Sequence, residues 1–321
     1  MSRYVLKRVA LGILTILISF TFTFFLIRFA PGDPIKIMAG RENPSASQIE
    51  YIQKLYGLDQ PLMVQFTHYL GNLLKGDFGF SFKNNQPIVK IILSRIRPTI
   101  LLTLTSSLLS AVCGTLLGIL VVRMKKPSIE RTLLRISYFV DAIPTFWLGL
   151  ILIIFFAGKM KWFPTSGMHD VRNQSTGIQK ILDIIHHMVL PVITIVIVQV
   201  PIYFRVIRSS ILNTMGDDYI KTFRAAGLSE AKIFHKYILK NSILPIIVLF
   251  GSSLAFTISG VALIEIIFAW PGMGRLILQA VSSRDYMLLN GIYLMISASI
   301  IIFMILIDIV QAVIDPRIRW K

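Results

Sequence analysis

The residues of this chain that could do chemistry are few, and most stand where they are hardest to keep. Asp141, Arg205, Glu265 and Asp308 are ionisable side chains within or beside long apolar runs. A charge at membrane depth is costly and points by default to a pathway, a relay or an internal ion pair. Arg205 and Asp308 lie near enough to a run's end to reach the interface along their own side chains. Asp141 and Glu265 are the two candidates for a substrate pathway. Glu265 either lines an aqueous vestibule or pairs with a partner subunit. His186 and His187 are adjacent, so on a helix they diverge by about 100° and do not converge on one metal. Cys113, the single cysteine, sits in an apolar run and is expected to be a small buried residue.

Catalytic patterns are missing from the sequence. No G-x-x-x-x-G-K-[ST] phosphate loop occurs, and Gly158-Lys159-Met160 has neither the first glycine nor the hydroxyl. HExxH, GxSxG and paired catalytic carboxylates do not occur either. No catalytic residues, no metal site and no cofactor are therefore expected in this chain. Asn173-Gln174-Ser175 matches a glycosylation sequon, a pattern short enough to arise by chance.

The elements that must hold these side chains are set by composition. Of 321 residues, 55% are hydrophobic and only 15% charged, well below the charge content of a soluble domain. The net charge of +17 would suit nucleic acid, yet the basic residues flank apolar runs instead of forming one patch, so nucleic acid is excluded as a partner. Membrane lipid is the expected surrounding. Runs of about 20 residues, enough to cross a bilayer core, occur at 9–30, 99–122, 136–158, 188–207, 243–268 and 290–312. In lipid these must be helices. The prediction is an all-α integral membrane protein with six transmembrane helices. The first run is too long for the apolar core of a signal peptide and reads as a retained anchor helix. Pro98, Pro191 and Pro245 are read as first-turn prolines, Pro144 and Pro201 as kinks or breaks. Basic residues are densest in 1–8, 123–135, 205–240 and 313–321, which predicts both termini in the cytoplasm.

Two connecting segments are more than loops. Residues 31–98 form an extracellular subdomain with a predicted helix near 46–56, serving either as a contact surface for another protein or as a cap over the pore. The cytoplasmic segment 209–241 reads as a helical hairpin. Asp217 or Asp218 caps a helix through Ala226, Gly227 ends it with a positive φ, and Ser229 caps a second helix. On that helix Lys232, Lys236 and Lys240 recur every fourth residue. The small residues Ala225-Ala226-Gly227 at the turn would let another protein approach the backbone. The alternative is a hairpin resting on lipid phosphates.

In order along the chain, a set of short motifs carries a resemblance. They are Tyr4-Val5-Leu6-Lys7-Arg8, Pro31-Gly32-Asp33-Pro34, Tyr56-Gly57-Leu58-Asp59-Gln60-Pro61 and Gly76-Asp77-Phe78-Gly79. Pro144-Thr145-Phe146-Trp147-Leu148-Gly149, Asp218-Tyr219-Ile220-Lys221-Thr222, Trp270-Pro271-Gly272-Met273-Gly274, Arg284-Asp285-Tyr286 and Asp315-Pro316-Arg317-Ile318-Arg319 follow. With these spacings the chain resembles the first of the two inner-membrane permeases of bacterial ABC importers for dipeptides, oligopeptides and nickel. That family's cytoplasmic signature is Glu-Ala-Ala, three residues, Gly, nine residues, then Ile-x-Leu-Pro. Gly227 fits the glycine, but Lys221-Thr222-Phe223 stands at the triplet and Tyr237-Ile238-Leu239-Lys240 at the end.

The resemblance implies a type I ABC importer permease fold and half of a translocation pathway in the bacterial plasma membrane. It implies a second homologous permease, two ATP-binding subunits that bind ATP and Mg, and an extracellular solute-binding protein that delivers a peptide substrate. Contact with the ATP-binding subunit is implied at Asp218, Tyr219, Lys221, Thr222, Arg224, Ala225, Ala226, Gly227, Leu228, Ser229 and Glu230. Nickel or a metal chelate is the alternative cargo. An ion-coupled secondary transporter is the rival class, and would be marked by internal repeats and midplane charges.

Overall fold

The computed structural model describes residues 2–29, 50, 59–81, 83–170, 176–255 and 262–314. The predicted helix near 46–56, the motif at 31–34, the sequon at 173–175 and the motif at 315–319 lie outside or almost wholly outside these residues. Helix α1 (Ser2–Arg28) is followed by α2 (Leu62–Leu74) and a small antiparallel hairpin of β1 (Phe80–Ser81) and β2 (Gln86–Pro87). Next come α3 (Ile88–Met124), α4 (Pro127–Asp141) and α5 (Thr145–Lys159), whose second half widens into π-helical turns at Ile153–Lys159. Then follow α6 (Ile178–Gly216), α7 (Asp218–Ala225), α8 (Glu230–Ala255), α9 (Ala262–Ile267), α10 (Met273–Ser282) and α11 (Tyr286–Ile314).

Helices α1, α3, α6, α8 and α11 are each long and apolar enough to cross a membrane. A sixth crossing counts α4 and α5 together, although they meet at 93°. Pro144, predicted as a kink or break, stands in extended backbone as the N-cap of α5 and makes that break. The predicted span 136–158 is therefore corrected: its first residues belong to α4, which turns away from α5.

Proline reads differently in three other places. Pro98 and Pro191 lie inside α3 and α6, which begin ten and thirteen residues earlier, so neither is a first-turn proline. Pro201 is carried within the continuous helix α6. Pro245 does open a helical segment, Leu244–Ala255 within α8, as its position predicts. The predicted outer segment 31–98 runs eleven residues into α3, which starts at Ile88.

The frame of the bundle is the pairing of α3 with α6. Along α3 the residues Ser106, Ser110, Gly114 and Gly118 recur every fourth position on one buried ridge. A Cβ on Gly118 would lie 2.3 Å from Ile207 Cγ2, and one on Gly114 would lie 2.5 Å from Tyr203 Cβ. Small residues let two backbones approach within lipid, where no hydrophobic effect drives helices together. The serine hydroxyls on the ridge return their hydrogen bonds to their own helix, Ser106 to Leu102 O and Ser110 to Ser106 O, both 2.7 Å. Helix α1 lies along α11, joined by Ser19–Ser297 (2.8 Å) and an Arg8–Asp308 ion pair of 3.1 Å. Cys113 is exposed on α3, which corrects its expected burial.

Candidate coupling site

The hairpin of α7 and α8 is built as the sequence predicts, from helix, sharp turn and helix. Its inward residues are apolar: Ile220, Ile233 and Ile238 are buried and pack on Ile207 and Ile211 of α6. Phe223 meets Tyr237 across the turn with ring centroids 4.2 Å apart, and Tyr219 meets Phe223 edge-on. Arg123, at the end of α3, stacks over Phe234 at 5.6 Å. Ser242 donates to Thr214 at 3.2 Å, and Asn241 donates to the Tyr219 hydroxyl at 2.9 Å. The hairpin is thereby fastened to the ends of α3 and α6.

The turn itself is closed by backbone. Ala226 N–H and Gly227 N–H donate to Thr222 O and Arg224 O, and Leu228 N–H reaches Phe223 O at 3.2 Å. Gly227 has φ +77°, which an L side chain adopts only with strain, and open space surrounds the place where its Cβ would be. Asp217 and Ser229 occupy the two N-cap positions in extended backbone, but neither side chain makes the cap hydrogen bond. The small residues Ala225, Ala226 and Gly227 are all exposed.

Around that tip stands a charged collar. Lys221 pairs with Asp218 at 2.8 Å, and Arg224 Nε pairs with Glu230 Oε1 at 2.8 Å. The Arg224 guanidinium, through its hydrogen bond first, holds the Glu230 carboxyl below the usual carboxylate range. Of the eleven residues assigned to this contact, ten are exposed and Leu228 is half-buried. Lys232, Lys236 and Lys240 are exposed as well. They lie on a helix whose segment Ile233–Ile238 is π-helical, so they depart from a strict four-residue stripe.

The two candidate pathway carboxylates lie elsewhere. Asp141 ends α4 and pairs with Arg205 of α6 at 2.5 Å. Arg205 also donates to Ser137 O and Oγ at 3.3 Å and lies over the Tyr138 ring. One turn on, Arg208 Nε donates to Glu130 at 2.6 Å. Two arginines of α6 therefore hold both ends of α4, an arrangement without a local sequence signal.

Glu265 is fully buried, so the vestibule reading gives way to a structural one. Its carboxylate accepts from Thr99 Oγ at 2.6 Å and from Gly274 N–H at 2.6 Å, with a further bond from Arg275 N–H. Thr99 Oγ accepts in turn from Met273 N–H at 2.8 Å, and Trp270 Nε1 donates to Pro98 O at 2.9 Å. The Trp270-Pro271-Gly272-Met273-Gly274 loop is wrapped on this carboxylate, and a Cβ on Gly272 would collide with it. In the sequence Gly274 stands nine residues after Glu265 and Thr99 stands 166 residues before it, so the buried role has no local signal.

His187 pairs with Asp183, and His186 meets Trp162 O at 2.9 Å. Among the described residues no three His, Cys, Asp or Glu side chains gather to hold a metal ion.

The comparisons with known proteins cover the entire chain. Residues 114–320 match the model described as "Binding-protein-dependent transport system inner membrane component", and residues 1–103 match the model of its N-terminal region. The chain is 32% identical over 321 residues to the oligopeptide transport system permease protein AppB of Bacillus subtilis, covering all of both chains. It is 33% identical, again over both full lengths, to the glutathione transport system permease protein GsiC of Escherichia coli K12. A probable peptide ABC transporter permease protein, y4tP of Sinorhizobium fredii, stands at 33% over the same extent. The fold is that of a chain in an inward-facing structure of the MetNI methionine ABC transporter, with a TM-score of 0.54 at 16% identity, over 72% of this chain and 99% of that one. The chain belongs to the inner-membrane components of binding-protein-dependent transport systems, as a multi-pass ABC importer permease of the bacterial plasma membrane.

Proposed function

We propose that this chain forms half of the translocation pathway of an ATP-driven importer for oligopeptides or dipeptides. The observation that carries this reading is full-length similarity, at 32–33% identity, to permeases named for oligopeptide, peptide and glutathione transport. The other half is a second, homologous permease. Two ATP-binding subunits hold ATP and Mg, and an extracellular solute-binding protein delivers the peptide. Both termini and the α7–α8 hairpin face the cytoplasm in this reading, in keeping with the basic residues of 123–135 and 205–240.

The hairpin supports the coupling role by its construction. Its exposed tip has little side chain, its collar is charged, and its inner face is fixed to α3 and α6. An ATP-binding subunit that closes on ATP would grip this tip and move both spans together. The permease would then occupy two states whose populations depend on nucleotide. Asp141, with a third of its side chain exposed beside Arg205, is the carboxylate of the two candidates that remains available to a pathway.

Purification of the tagged chain from its native membrane tests the composition. Two ATP-binding subunits and a second permease should remain with it. Recovery of this chain alone, fully folded and active in ion-driven uptake, would refute the assignment.

A further inference from the structure

Apart from Asp141 at its end, helix α4 has no part in the proposed function, and its surface is divided in a way that calls for a ligand. The helix turns 93° away from α5, so it runs across the bundle instead of along it. Its inward half is spoken for. Leu133, Leu134, Ser137 and Val140 are buried or half-buried, Glu130 is held by Arg208, and Asp141 is held by Arg205. Both acidic residues of the helix are thus engaged from α6.

The outward half carries two strips. Arg131, Arg135 and Tyr138 fall within about 60° of one another at 100° per residue, and Thr132, Ile136 and Phe139 lie beside them. All six are exposed, Phe139 most of the three apolar or aromatic ones at 71%. Lys125 and Lys126 immediately precede the helix and are exposed too. Among the described residues, Arg131, Arg135 and Lys126 have no acidic partner, and Lys125 faces only the distant charge of Glu230.

A helix lying across a transmembrane bundle, apolar along one edge and basic along the next, fits the boundary between acyl chains and headgroups. Tyr138 flanks the basic strip on the side away from Ile136 and Phe139, with Arg205 over its ring. We propose that α4 is an in-plane membrane helix that binds an anionic phospholipid, with Arg131 and Arg135 on the headgroup phosphate and Ile136 and Phe139 among the acyl chains. Lys125 and Lys126 add charge at the same edge. The clamps from Arg205 and Arg208 connect this lipid site to α6, which continues through Gly216 into the coupling hairpin. Occupancy would therefore set how firmly α4 braces the helix that receives the ATPase stroke.

The test uses the intact transporter complex, exchanged into equimolar phosphatidylglycerol and phosphatidylcholine and weighed as a whole by mass spectrometry. The wild type should retain phosphatidylglycerol over phosphatidylcholine. Arg131→Gln with Arg135→Gln should weaken that retention about thirtyfold, given the usual contribution of about 1 kcal/mol for each basic residue near an anionic surface. Arg131→Lys with Arg135→Lys should keep most of it, which separates charge from a folding defect. Equal retention of the two lipids by the wild type, or unchanged preference in the glutamine variant, would overturn the proposal. So would efficient cross-linking of Phe139→Cys to a protein subunit, since the face would then belong to a protein partner.

Discussion

Replacing Glu265 with alanine should unfasten the Trp270–Gly274 loop and destabilise the permease without altering which peptides it prefers. Three donors converge on the carboxylate: the Thr99 hydroxyl, Gly274 N–H and Arg275 N–H. Each buried donor left without an acceptor costs about 1–3 kcal/mol, so the lower bound of the loss is about 3 kcal/mol before any cavity is counted. By the scaling of larger soluble domains, such a loss lowers a melting midpoint by roughly 6–12 °C. A glutamine side chain in the same place would keep one acceptor oxygen and turn an amide toward a donor, so Glu265→Gln should fall between alanine and wild type. Thr99→Val removes one donor to the carboxylate and the acceptor of Met273 N–H, and should cost less than Glu265→Ala. The assay is thermal aggregation of the detergent-purified complex, read beside uptake of acidic, neutral and basic peptides. A wild-type midpoint for Glu265→Ala, or a change in Glu265→Gln confined to peptides of one charge, would refute the structural reading and restore a pathway role.

Other substitutions separate the parts. Gly227→Val forces an L side chain to a φ of +77° at a cost of about 1–2 kcal/mol, with no collision. ATP hydrolysis should become uncoupled from uptake while the complex still assembles into the membrane, and wild-type uptake would count against the hairpin as the contact. Gly118→Leu puts a side chain where Ile207 already lies 2.3 Å from the new Cβ, and should prevent α3 from seating on α6. The expected readout is loss of folded permease on size-exclusion chromatography, and a normal elution profile would contradict the packing. At the other end, burial pushes the Asp285 carboxyl up, against the opposing hydrogen bonds from Ser81 and the Leu288 and Lys83 backbone. A raised folded value means that this group's contribution is fully present below its unfolded pKa of about 4 and is lost as pH rises through the folded value. Hydrogen exchange of the β1–β2 hairpin, corrected for the intrinsic pH dependence of exchange, should therefore show greater protection below the unfolded pKa of about 4 than at alkaline pH. Asp285→Asn should remove the difference, and a pH-independent wild type would contradict this.

How much of the molecule is legible in its sequence depends on the range of the interaction. Hydropathy locates the spans because in lipid the length of an apolar run and its helicity are nearly one constraint. The hairpin is legible because Gly227 and the flanking small residues encode their turn locally. The start of span three is not, since residues 136–143 are apolar enough to extend it, while the arginines that hold α4 across the bundle come about seventy residues later. Pro98 and Pro191 are misplaced for a related reason. Helices α3 and α6 extend beyond the lipid-like run into amphipathic turns that hydropathy alone does not include. The role of Glu265 rests on Thr99, 166 residues away in sequence, and no local pattern reports such a partner. Cys113 shows the converse, since an apolar run does not reveal which of its faces meets another helix.

The central claim is tested most directly by uptake in proteoliposomes holding the complete complex and its solute-binding protein, offered labelled peptide and Ni²⁺ in competition. The account predicts peptide accumulation that requires ATP and is unaffected by Ni²⁺. Accumulation of metal in place of peptide, or peptide uptake that continues without ATP on an ion gradient, would contradict it.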